Sequence, residues 1–182
     1  MEITESEIRQ IFASIVWNHK IHEKQSDIYS FRNKFLGIVN ILCSTLTTSG
    51  LLAIFFTNDS YILKVITTIF SAIVLFISTF EKTYDLKEMH NKHKATALDF
   101  CILKQKTISL LVDIKTESID NKTAIRRRDE IIESFYTICK NALNTSDRAV
   151  KKARKSLKEY KDNFYSDEEI DSYLPVKLRK EQ

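Results

Sequence analysis

Two apolar runs, Phe35 to Phe56 and Tyr61 to Phe80, stand back to back in this chain with only Thr57, Asn58, Asp59 and Ser60 between them, and Lys64 is the single charge inside either. Each run holds about 20 residues, which at about 1.5 Å of rise per residue makes about 30 Å of helix, the thickness of a bilayer's hydrocarbon core. A buried hairpin in a soluble protein is the alternative. It would need an apolar wrapping on nearly every side, and the rest of the chain, 29% charged overall, is too polar to supply one. The pattern therefore predicts an all-α protein, a two-span transmembrane hairpin continuous with a cytoplasmic bundle of long helices.

The 182 residues include only two glycines and one proline, so tight turns are few and long helices follow. Both glycines, Gly37 and Gly50, fall in the first apolar run, where small residues permit close helix approach. A net charge of +4, with acids and bases intermixed, argues against a dedicated nucleic-acid binder, and no direct nucleic-acid contact is expected. Cys43, Cys101 and Cys139 are odd in number and have no CxxC spacing, which reads as free thiols in a reducing compartment. The first 34 residues carry scattered charges and no signal-peptide core, so the first span is expected to direct its own insertion.

The flanks suggest an orientation. Lys20, Lys24, Arg32 and Lys34 precede the first span, and Lys82, Lys87, Lys92 and Lys94 follow the second. By the positive-inside rule both termini are expected in the cytoplasm of a multi-pass inner-membrane protein, with Lys64 snorkelling to the outer headgroups.

Residues 1–34 read as an amphipathic cytoplasmic helix, capped at Thr4 or Ser6, whose Ile8, Ile11, Phe12 and Ile15 recur at helical spacing and are expected to pack on later helices. The spans cover 35–56 and 61–80, with a turn at Asn58, Asp59 and Ser60. No breaker follows Phe80, so one helix is expected to run on to about Ile114 within a cytoplasmic bundle over 81–165. That bundle is completed by a helix bearing Ile125, Ile131, Ile132, Phe135 and Ile138 and another bearing Ala149, Val150, Ala153, Leu157, Tyr160 and Phe164 near heptad spacing. Residues 166–182 read as a flexible tail.

Polar residues inside the spans fall in stripes: Asn40, Ser44, Thr47 and Thr48 on the first, Lys64, Thr67, Thr68, Ser71 and Ser78 on the second. Two readings stand. The stripes join helices by hydrogen bonds, or they line a water path that two spans per chain can enclose only by self-assembly. Histidines occur in two i, i+3 pairs, His19 with His22 and His90 with His93; with Glu23, Glu88 or Cys101 they invite a metal reading, but no motif accompanies them and hydrogen-bonded histidines are the simpler expectation. Arg126, Arg127 and Arg128, and Lys151, Lys152 and Lys155, form cationic faces able to meet headgroups or phosphates, or merely to be solvated. No glycine-rich phosphate loop or GxSxG is present, so neither catalytic residues, an enzymatic role, a cofactor nor a resident metal is expected.

The stretch Trp17-Asn-His-Lys20-Ile-His22-Glu23-Lys24-Gln25, the hairpin with Thr45-Leu-Thr-Thr-Ser-Gly50 at its heart, and Phe80-Glu-Lys-Thr-Tyr-Asp85-Leu followed by His93-Lys-Ala-Thr-Ala97 together resemble the SLATT family, the SMODS- and SLOG-associating two-transmembrane effectors of prokaryotic conflict systems. The resemblance covers most of residues 5 to 160. It implies a homo-oligomeric membrane effector of antiphage defence, acting on membrane lipid as a pore or by disruption, with cell death or abortive infection as the outcome. It also implies a partner from the same locus: a cytosolic sensor, a nucleotide second-messenger synthase or a reverse transcriptase. The family supplies no catalytic residues to carry over.

Overall fold

The computed structural model describes residues 2–56, 60–160, 162 and 166–173, and among these the chain is helical with no strand. Helix α1, Glu2–Phe56, runs unbroken for 55 residues, about 80 Å at the standard rise. No proline or glycine interrupts it before Gly37. The amphipathic segment and the first span are thus one rod, packed against protein in its first half and largely uncovered in its second.

Helix α2, Tyr61–Thr83, begins at Ser60, whose Oγ accepts the Leu63 N–H at 3.4 Å. The rest of the expected turn, Asn58 and Asp59, lies outside the described residues. Nor does one helix run from Phe80 to Ile114, as the lack of a glycine or proline there suggested. Tyr84 leaves helical geometry at φ −117°, ψ 93°, and Asp85 starts a new helix, α3 (Leu86–Lys115), by accepting the Glu88 N–H at 2.7 Å. An N-cap carboxylate can open a helix wherever the chain bends, so the break needs no helix-breaking residue. Its effect is to redirect α3 onto the lower half of α1. The buried positions of α3, Leu86, His93, Ala97, Phe100, Leu103, Thr107, Leu110 and Ile114, recur at steps of three, four and seven, the seam of two long helices packed side by side.

Two further helices close the bundle, α4 (Asn121–Asn141) with Asp120 as its cap and α5 (Asp147–Lys158) with Ser146. The larger core joins Ile8 and Ile15 of α1 to Phe100, Leu103, Leu110 and Ile114 of α3 and to Ala124 and Ile131 of α4. The N-terminal apolar face therefore packs on protein, as its spacing suggested. A smaller core sets Ile21 and Ile28 against Ala149 and Ala153 of α5, where the alanines let two backbones approach. Leu157 is half-buried on this seam, but Tyr160 is exposed beyond the end of α5, and Phe164 lies outside the described residues. Instead of wholly flexible tail, Asp167–Tyr173 forms a seven-residue helix, α6, started by a capping box between Ser166 and Glu169; residues 174–182 lie outside the described set.

Candidate functional site

Polar chemistry is concentrated in two tiers, one inside the hairpin and one just beneath it. In the hairpin, α1 turns Asn40, Cys43, Thr47 and Gly50 toward α2, a three- and four-residue rhythm that leaves Cys43 buried and the other three half-buried. Gly50 is required there, since a Cβ on it would collide with the Oγ1 of buried Thr67. The threonine hydroxyls are satisfied within their own helices: Thr47 donates to Cys43 O at 2.8 Å, Thr48 to Ser44 O at 3.0 Å, Thr67 to Leu63 O and Thr68 to Lys64 O at 2.8 Å each. Asn40 differs. Its Oδ1 is buried and has no hydrogen-bond partner among the described residues.

The polar stripes divide accordingly. Asn40, Ser44 and Thr47 are half-buried, whereas Thr48, Lys64, Thr68 and Ser71 lie exposed on the outer surface of a single hairpin. Spacing alone grouped residues that the packing of α1 on α2 separates.

The second tier lies where α1 meets α3 and α5. His19 Nδ1–H donates to Ala97 O at 2.8 Å. Ser26 and His90 clasp each other, with Ser26 Oγ–H donating to His90 O at 3.1 Å and His90 Nδ1–H to Ser26 O at 3.0 Å. Between these, His22 and His93 meet Nδ1 to Nδ1 at 3.0 Å, both buried, with Phe100 beside the His22 ring and Tyr29 stacked on His93 at 5.5 Å. One imidazole must donate and the other accept, so the contact requires a neutral acceptor nitrogen. Burial, then the His93 charge, brings the His22 pKa down to about 4, and burial lowers His93 as well.

Two more buried polar groups tie in α5 and the segment after it. Gln25, 2% exposed, accepts through Oε1 both the backbone N–H of Ser146 at 2.9 Å and its hydroxyl at 2.7 Å, holding the N-terminus of α5. Lys20, 3% exposed, pairs with Glu23 at 2.9 Å and with Asp162 at 3.6 Å. Burial pushes the Glu23 carboxyl up, but the hydrogen bonds and charges of Lys20 and Lys24 outweigh it and hold Glu23 below the usual carboxylate range.

The histidines thus pair across helices rather than along them. Among the described residues no group of three or more His, Cys, Asp or Glu is placed to hold a metal ion, and Glu88 and Cys101 do not join the pair.

The arginine triplet engages the protein's own acids. Arg126 meets Glu130 at 3.1 Å, Arg127 ties α4 to Asp113 of α3, and Arg128 ties it to Glu7 of α1 at 2.9 Å and also meets Asp129 at 2.8 Å. Lys151 and Lys152 are exposed on α5, and Lys155 sits 3.9 Å from Glu159 and over the Tyr160 ring.

The family model described as SMODS and SLOG-associating 2TM effector domain family 4 matches residues 4–169, and the chain belongs to that family. No curated protein and no solved structure matches it. Two helical stretches are long and apolar enough to cross a membrane, and with a two-transmembrane family this makes the chain a membrane protein. Membership carries a membrane-effector role in defence systems, from a family whose effector domains are not known as catalysts.

Proposed function

We propose that this member of the two-transmembrane effector family is a non-catalytic, homo-oligomeric effector of the inner membrane that permeabilises the cell on activation, as part of antiphage defence. The observation that carries the reading is Asn40. An amide oxygen buried without a partner costs about 1–3 kcal/mol even in a soluble protein, and no water is at hand in hydrocarbon to relieve it. A change in helix packing that brings Asn40 to another copy, or to water, recovers that energy. Thr48, Thr68 and Ser71, already on the outer surface of the hairpin, are then the residues that neighbouring copies or a conduit would meet. Both termini are cytoplasmic in this proposal, and activation comes from a cytosolic partner or from the protein's own bundle.

A second reading rests on the threonines. Because Thr47, Thr48, Thr67 and Thr68 all donate to carbonyls of their own helices, the hairpin is also compatible with an inert anchor that recruits a nucleotide-signalling enzyme or reverse transcriptase.

Liposome leakage by the purified protein separates the two. Leakage and toxicity on overexpression are expected for the native chain, and Asn40→Leu and Thr48→Leu are expected to abolish both while still inserting in the membrane. Undiminished leakage in these variants removes the lining role, and retention of function after exchange for an unrelated hairpin establishes the anchor.

A further inference from the structure

Where the hairpin meets the bundle, α1 and α2 part to leave an open cleft of about 300 Å³, at the lower end of the range of small-ligand pockets. Its walls are two aromatic pairs. Phe31 and Phe35 of α1 stack with centroids 6.3 Å apart, and Phe76 and Phe80 of α2 stack at 6.4 Å. Ile77 and Leu86, both buried, also line it. Among the described residues Arg32 is the single charged side chain in the lining, and no carboxylate joins it.

The position of the cleft decides what can fill it. Phe35 opens the first span and Phe80 closes the second, so the slot straddles the edge of the hydrocarbon on the bundle side. Phe31 is 69% exposed and Phe76 70%, apolar surface that acyl chains cover and water does not. Arg32 lies one residue from Phe31 and one helical turn before Leu36, at headgroup depth. Unlike Arg126, Arg127 and Arg128, it makes no ion pair with the described residues. Its guanidinium can offer two parallel N–H donors to a phosphodiester, and cationic pockets between membrane helices on the cytoplasmic side are a recurrent way of holding anionic headgroups.

We infer that this cleft is a binding site for one anionic phospholipid of the bundle-side leaflet, with an acyl chain between the phenylalanine walls and the phosphate on Arg32. The inference rests on the membrane reading of the hairpin and is independent of whether the protein conducts. Leu86 is the first residue of α3, so the lipid touches both sides of the break at Tyr84 and Asp85 and sits where the hairpin and bundle are joined.

The test is native mass spectrometry of the full chain in detergent, titrated with phosphatidylglycerol or with phosphatidylcholine of the same acyl chains. The native protein is expected to retain one phosphatidylglycerol with about a tenfold preference, because choline already neutralises the phosphodiester of phosphatidylcholine while that of phosphatidylglycerol is left to Arg32, a difference on the scale of one charge-assisted contact. Arg32→Gln should bring the two lipids to parity, Arg32→Lys should keep part of the preference, and Leu36→Trp, which fills the slot, should reduce retention of both. Circular dichroism and size-exclusion elution matching the native protein qualify each variant for comparison. Equal retention of the two lipids by the native chain, or an undiminished preference in Arg32→Gln, overturns the site. Leakage plays no part in the readout, so failure here leaves the effector reading standing.

Discussion

Acidification should loosen the grip of α1 on α3, and the buried histidine pair sets the size and direction of the effect. Burial, with the neighbouring His93, holds the His22 pKa down to about 4 in the folded protein, against its ordinary 6.5 once unfolded. Between those values the unfolded chain binds the extra proton, so stability falls as pH falls; above about 6.5 both states are neutral and nothing changes. At about 1.36 kcal/mol per pKa unit, the interval is worth about 3 kcal/mol for His22, and the lowered His93 adds in the same direction. Among the described residues the groups facing the pair are the rings of Tyr29 and Phe100, and no carboxylate hydrogen-bonds to either imidazole to stabilise an imidazolium. The assay is amide hydrogen exchange in detergent over residues 19–29 and 90–100, expressed as protection factors, from neutral pH down to about 4. Protection in the native chain should fall by about a hundredfold over that range, nearly all of it below about pH 6.5. His22→Gln keeps a hydrogen-bonding side chain but cannot titrate, so its slope should be shallower by about 1.4 kcal/mol per pH unit. Equal slopes in the two proteins would refute the argument.

Backbone packing yields two further tests. Gly50→Ala should destabilise the hairpin by about 1–3 kcal/mol, because the new methyl drives Thr67 off its bond to Leu63 O. Thermal unfolding in detergent should show the loss and its recovery in the double variant Gly50→Ala, Thr67→Ala; an unchanged melting temperature in the single variant would mean the helices are not so close. At the end of α3, Glu117 adopts φ 53° while Glu117 N–H bonds to Ile114 O and Ser118 N–H to Asp113 O, the Schellman pattern that favours glycine. Glu117→Gly should raise stability by about 0.5–1 kcal/mol in chemical denaturation, and a lower midpoint would contradict the strain.

Much of this architecture was legible one residue at a time. Two stretches of about 20 apolar residues imply their own solvent, since bilayer thickness and helix rise are constants. Ile8 and Ile15 announced a packed face by periodicity alone. The break at Tyr84 and Asp85 was not legible, because an aspartate is equally at home on an exposed helix surface and as a cap. Only the pull of eight buried α3 positions onto α1 selects the cap.

The histidine pair marks the same boundary. His22 lies thirteen residues before Phe35 and His93 thirteen after Phe80, so an antiparallel hairpin brings them level. That arithmetic was available, but it became chemistry only when helix rotation turned both rings inward. The polar stripes are the converse: periodicity put Asn40 with Thr48 on one face, and packing hid the amide oxygen of the first while leaving the second exposed. Sequence by itself determined the membrane hairpin, the helical class and the family, because these follow from local composition and spacing. Which polar groups are buried, which histidines touch and where Arg32 meets an apolar cleft were decided by the tertiary structure, since each depends on the rotation of one helix against another, and no single helix carries that information.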